Sequence, residues 1–165
     1  MDTGYKTAGT CSGEGWTNPD YSRVLDSNVA SYLIPINSDA PVIIWTNFGF
    51  SVPNGARIVG ARISTYRGVV EASRDVRDIT IKWYYGGDQT TAFVGANWNS
   101  GSFYTNVFDA VAIWSGLTPA VARNSGFGVS FIIKNYNIAA TSTAAIDSFQ
   151  MKLFYEVPKA HGGLC

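Results

Sequence analysis

The chain has 165 residues, twelve basic and twelve acidic, of which 15% are charged and 14% aromatic. A chain of that size fits one domain and buries roughly 70% of the surface its unfolded form exposes, so its core needs neither metal nor disulfide. A formal net charge of zero excludes the long-range field that draws in nucleic acid or an anionic membrane, and few charges beside many aromatics suit an all-β domain.

Met1 precedes "DTGYKTAGT", which lacks the basic and apolar regions of a signal peptide, and no later apolar run approaches a spanning helix. The expectation is a protein made and folded in the cytoplasm. Residues 1–15 hold four Gly, three Thr and one Ser without apolar periodicity, predicting a flexible N-terminal arm. From Trp16, short apolar runs alternate with Gly, Asn, Asp, Ser and Pro, predicting one β-sandwich domain over 16–157 and a C-terminal tail over 158–165. Cys11 and Cys165 match no zinc or CxxC spacing, and without a secretory signal two free thiols are expected.

The segment "NPDYSRVLDSN" offers oxygen ligands at Asn18, Asp20, Asp26 and Asn28, but their spacing does not fit an EF-hand loop, so no metal is assigned. In 42–52, period-2 alternation places Ile44, Thr46, Phe48, Phe50 and Val52 on one face. Pro53 is expected at position i+1 of a turn completed by Asn54 and Gly55, and Gly49 permits a close neighbour or a bulge. Ile58 opens the next strand, in which Ala61, Ile63 and Thr65 oppose Arg62, Ser64 and Tyr66. Ile79, Ile81, Trp83 and Tyr85 alternate with Thr80, Lys82 and Tyr84.

Helical signals are brief. Residues 109–116, "DAVAIWSG", and 118–126, "TPAVARNSG", predict one or two short helical turns, the second with Thr118 as N-cap, Pro119 at the first helical position and Gly126 as a stop. Phe127, Val129, Phe131 and Ile133 then share one face, as do Phe149, Met151, Leu153 and Tyr155. Half-apolar strands without a βαβ rhythm predict an all-β, two-sheet antiparallel β-sandwich, jelly-roll-like.

Reactive chemistry is sparse. His161 follows the last strand in "PKAHGGLC", where no rigid shell holds it against a nucleophile or an orienting carboxylate. Asp75, Asp78 and Asp147 are the carboxylates to weigh for sugar hydrolysis. Asp147 faces inward beside Phe149, where a carboxylate accepts backbone N–H bonds or pairs with an arginine, and Arg62, Arg74 and Arg77 are available. No catalytic residue and no cofactor are assigned, and no GxSxG, P-loop, dinucleotide or HExxH motif occurs.

Aromatics remain: Trp16, Trp45, Trp83, Trp98 and Trp114, with Tyr84, Tyr85, Tyr104 and Tyr136, suit stacking on a sugar or filling a subunit interface. Trp83 and Trp114 read more simply as core. Partner contacts are assigned to Tyr5 and Cys11 in the arm, Trp16 at its base, and Trp45 and Tyr84, which the alternation turns outward.

The series "WTNPDYSRVLDSNVASYL", "TNFGFSVPNGARIVGARIST", "RDVRDITIKWYYGG", "NW", "IWSGLTPAVARNSGFGVSFII" and "AAIDSFQMKLFYEV", over residues 16–155, resembles a β-sandwich domain of bacteriophage virion proteins and phage-derived bacterial genes. That resemblance implies a non-enzymatic virion component, assembled in the host cytoplasm and carrying no catalytic residues. For a domain standing almost alone it implies a capsid decoration, or cement, protein: a homo-oligomer, commonly a trimer, bound to the major capsid protein or another virion protein. The alternative it implies is a tail or fibre subunit acting as a receptor-binding module for a host surface glycan.

Overall fold

The computed structural model describes residues 1–159, so His161, Cys165 and most of the expected tail 158–165 lie outside the described residues. Among the described residues ten strands occur: β1 Lys6–Thr7, β2 Thr10–Gly13, β3 Ala30–Ile34, β4 Ile43–Thr46, β5 Arg57–Val69, β6 Val76–Tyr85, β7 Asp88–Phe93, β8 Ser102–Asp109, β9 Phe127–Asn135 and β10 Ser142–Glu156. They build two five-stranded sheets. The first has the order β1-β10-β5-β8 with β3 also on β10, and the second has the order β2-β4-β9-β6-β7. All pairings within them are antiparallel. Apart from β6 and β7, successive strands change sheet, so every hairpin arm feeds the two-layer, jelly-roll-like sandwich.

The alternation seen in sequence reaches the core in β5, β9 and β10: Ala61, Ile63, Phe127, Val129, Phe131, Ile133, Phe149, Met151 and Leu153 are buried between the sheets. Trp45 stacks on Phe149 with centroids 4.4 Å apart, and Phe131 meets both rings edge-on. Of the two segments expected to supply one or two short helical turns, one is helical. It is α1, Pro119–Ala122, where Thr118 Oγ1 accepts the Val121 N–H. Residues 110–116 form an irregular turn after β8, and Pro19–Arg23, not anticipated as helical, makes a 3-10 turn. Among the described residues no helix is long and apolar enough to cross a membrane.

Two register expectations are corrected. Ile43 and Trp45 face inward, leaving Ile44 and Thr46 outward, yet Phe48, Phe50 and Val52 are also buried. The parity changes because Asn47 and Gly49 both take positive φ, 62° each, which breaks the extended alternation and lets Phe48 and Phe50 stack inward. Nothing lies within contact of a Cβ built on Gly49, so that glycine serves its backbone angle and not a close neighbour. In β6 a register shift between Asp78 and Thr80 turns Asp78 inward and leaves Ile79 exposed. The turn is also shifted by one residue from expectation: Ala56 N–H donates to Pro53 O, so Pro53 is position i, with Gly55 at φ 77°.

Residues 1–15, expected as an arm, are extended but lie on their own domain. Met1 and Thr3 donate to Tyr155 O and Leu153 O, β1 pairs with β10, and β2 pairs with β4 in the other sheet. Gly9 allows this crossing, because a Cβ there would strike the backbone oxygen of Asn47 at 2.7 Å.

Candidate functional site

The five expected partner residues separate into three that are buried and two on the surface. Trp45 is fully buried and its Nε1 donates to Ser22 Oγ at 2.8 Å. Ser22 Oγ lies 2.7 Å from Pro19 O and 3.3 Å from Cys11 Sγ, so the expected arm cysteine is part of the core beside Trp45. Burial pushes the Cys11 thiol up to about 12, which leaves it an inert thiol at neutral pH. Trp16 is buried against Tyr32 and donates Nε1–H to Pro41 O. Tyr5 is exposed on the outer side of the first sheet under Lys152, and Tyr84 is half-buried on the outer side of the second. These two tyrosines lie on opposite faces of the sandwich and form no common site.

The weighed carboxylates are all engaged. Asp75 forms a two-pronged pair with Arg77 at 2.7 and 2.6 Å, and that hydrogen bonding holds its carboxyl below the ordinary value. Asp147 accepts the Asp26 N–H, as its inward position suggested. Asp78 is the centre of a buried network: it binds both terminal nitrogens of Arg67 at 2.6 Å and also accepts Trp98 Nε1–H and Ala96 N–H. Arg67 escaped notice in the sequence, although it continues the inward series Ile63, Thr65. It is fully buried, sandwiched by Trp98 at 4.5 Å and Phe108 at 5.0 Å. Asp20 pairs with Arg23 and Asp26 caps Asn28 N–H, so the oxygen-rich segment 18–28 does not converge. No group of three potential metal ligands occurs among the described residues.

Concave surface appears instead at the end of the sandwich where β5 begins and β6 ends. A cleft of about 290 Å³ opens there, near the ~300 Å³ lower bound of small-ligand sites. Its walls are Trp114, Ile58, Leu117 and Pro119, and its polar groups come from Arg57, Ser115 and Thr118. Trp114, expected in the core, is half-buried and sits with its ring 6.4 Å from Tyr85. Gly116 lets that indole lie flat on the turn, since a Cβ would meet the ring at 2.3 Å. Trp83 Nε1 donates to Ala112 O and anchors the same segment to β6. Outside the cleft lining, Arg123 donates to Val52 O and Asn54 Oδ1, clasping the end of α1 to the chain that enters the 53–56 turn.

No family model and no curated protein matches the chain. Among solved structures the chain is similar to TmCBM61 in complex with β-1,4-galactotriose, over 93% of this chain and 90% of that one, at 11% identity and a TM-score of 0.41.

The described lining residues of the cleft offer groups for stacking and hydrogen bonding. An indole face, aliphatic walls, two hydroxyls and a guanidinium supply stacking and hydrogen bonds. Arg57 is paired with Glu156 at 2.8 Å, yet its side chain is 76% exposed, so its remaining donors face solvent at the rim. Among the described residues, the lining contains no carboxylate, cysteine or histidine.

Proposed function

We propose that the chain is a non-catalytic β-sandwich module that binds a glycan in the Trp114 cleft. The observation carrying this is the pairing of a half-buried indole wall with the Arg57, Ser115 and Thr118 polar groups in one small concavity. A pyranose presents an apolar face ringed by hydroxyls, which is the complement of such a surface. A glycan array followed by titration calorimetry tests it. The native chain retains at least one glycan; Trp114→Ala weakens binding ~10-fold or more, about 1.4 kcal/mol, while Tyr84→Ala on the second sheet changes nothing. Silence on the array, or equal affinity in Trp114→Ala, overturns it.

The setting we propose is the virion, on the strength of the motif series over residues 16–155 that resembles phage virion β-sandwiches. A glycan-binding sandwich fits a tail or fibre subunit. Attachment to the head as a decoration protein is the competing placement, with the major capsid protein as partner. Immunogold labelling of purified particles separates the two: label on the tail supports the receptor-binding module, and label on the head supports decoration.

A further inference from the structure

The turn that leads into β5 holds a reactive pair that the cleft does not use. Asn54–Gly55 is the one Asn-Gly step in the chain. An asparagine side-chain amide is open to attack by the backbone nitrogen of the next residue, and glycine favours that attack because it has no Cβ to crowd the approach and the widest backbone freedom. Both residues are exposed, and a Cβ built on Gly55 meets nothing within 4 Å, so this side of the peptide faces solvent.

Hydrogen bonding leaves the reacting atoms unspent. The turn is closed by Ala56 N–H to Pro53 O at 3.2 Å with Gly55 at φ 77°, and the Gly55 N–H has no partner among the described residues. The Asn54 amide is engaged through its oxygen: Arg123 Nη2 donates to Oδ1 at 2.7 Å, while Nδ2, the leaving group, has no partner among the described residues. Reaction needs the Asn54 side chain to swing toward its own backbone, a motion open to an exposed turn closed by one long hydrogen bond. The asparagines followed by serine are less suited. Ser38, Ser100 and Ser125 each carry the Cβ that Gly55 lacks, and Asn124 Oδ1 already accepts Gly126 N–H within its own turn.

We infer that Asn54 is a site of spontaneous deamidation and that its aspartate product places a carboxylate on the Arg123 clasp. The Gly55 nitrogen gives its proton to hydroxide and attacks Asn54 Cγ. The Cγ–Nδ2 bond breaks, ammonia leaves with a proton from water, and a succinimide closes. Water then adds to one of the two ring carbonyls and the bond from that carbon to the ring nitrogen breaks, so that amide and water have become carboxylic acid and ammonia. Opening at Cγ gives aspartate on an unchanged backbone. Its carboxylate oxygen stands where Oδ1 stood, so Arg123 keeps its bond and gains an opposite charge. Opening at the main-chain carbonyl gives isoaspartate, which routes the chain through Cγ and adds a methylene between Pro53 and Ala56. The Pro53–Ala56 hydrogen bond is then lost, and Arg57 and Ile58, the next residues, belong to the cleft wall. Deamidation itself does not depend on what the cleft binds.

The test incubates the folded full chain in neutral and mildly alkaline buffer and follows it by isoelectric focusing and peptide mass mapping, with fragmentation that separates aspartate from isoaspartate. A more acidic species is expected to accumulate, faster at the higher pH, and its mass change to map to residue 54 in both isomers. Asn54→Gln, whose longer side chain closes a ring far more slowly, yields no such species over the same period, and Asn54→Asp focuses with the aged species from the start. Asn54→Asp also melts no lower than the native chain at neutral pH, because Arg123 holds the new carboxylate. A folded chain that keeps its charge while the urea-unfolded chain reacts at residue 54 overturns the proposal, as does an early acidic species that maps to Asn37, Asn99 or Asn124. A lowered melting temperature in Asn54→Asp overturns the placement of the product on the clasp. Should Asn54→Gln fail to fold, the peptide map of the native chain decides.

Discussion

The two ends of the sandwich solve the same problem differently. Where β5 ends and β6 begins, the space between the sheets is filled by polar groups that satisfy one another: Arg67 with Asp78 and Trp98, and Asn135 with Ile34 O, Pro35 O and Ala140 O. Asn135 Oδ1 also receives Asn137 N–H and Nδ2–H, and Glu71 caps the Thr143 backbone and hydroxyl. At the other end, apolar walls and an indole meet loops that do not close over them, and a cleft remains. Apart from Arg67 Nε, which makes no hydrogen bond, this network turns its polar groups on one another, whereas the half-buried indole of the cleft has an exposed guanidinium at its rim. Buried polarity here marks the closed end, and the cleft lies at the other.

Breaking the closed end has the largest expected effect. Asp78→Ala strands the fully buried Arg67 guanidinium and costs about 3–5 kcal/mol in urea unfolding, whereas a joint Arg67→Met, Asp78→Leu replacement recovers most of that loss. A small cost for the single change would show that water reaches Arg67 and that this end is not closed. At the open end, Arg123→Ala removes the clasp between α1 and the 53–56 turn. It costs about 1.5–3 kcal/mol, the range for bonds to a charged donor, and weakens glycan binding as the cleft wall loosens. Thr118→Ala, which deletes the N-cap of α1, costs about 1 kcal/mol in thermal unfolding and leaves the rest of the sandwich intact.

The smallest effect is acid sensitivity at the closed end. Partial burial pushes the Glu71 carboxyl up, but the hydrogen bonds from Thr143 outweigh it and hold the group below its ordinary 4.5. A carboxyl lowered in the folded state contributes its stability in full above the unfolded value and loses it as pH falls through the folded one. The melting temperature therefore declines as pH drops below 4.5, and Glu71→Gln flattens part of that decline. An identical pH profile in Glu71→Gln would remove the residue from the acid response.

Individual residues show what was legible in the chain. Phe127 to Ile133 and Phe149 to Leu153 keep strict alternation through unbroken strands, so their inward faces were readable directly. Thr118 and Pro119 announced α1 because capping is a local interaction. Trp45 was assigned to the wrong face because parity carried back from Phe48 and Phe50 is lost at Asn47 and Gly49, whose positive φ leaves no period-2 trace. Cys11 reads as an arm residue, and Trp16 as a partner contact at the arm's base, since their core partners, Ser22, Trp45 and Tyr32, are distant in sequence. Trp114 was legible as a large aromatic, but its half-exposure depends on how far the 110–118 segment stands from β5.

The sequence by itself determined the all-β class, the main buried faces, the one capped helical turn and the scarcity of reactive groups. Alternation, turn chemistry and composition are local properties that need no knowledge of partners. Tertiary structure decided that Arg67 and Asp78 meet, that the first fifteen residues lie on their own sheets, that Trp114 borders a cleft, and that β8 ends its sheet. Those outcomes depend on which strands become neighbours, and strand order is set by long-range burial that no local window contains.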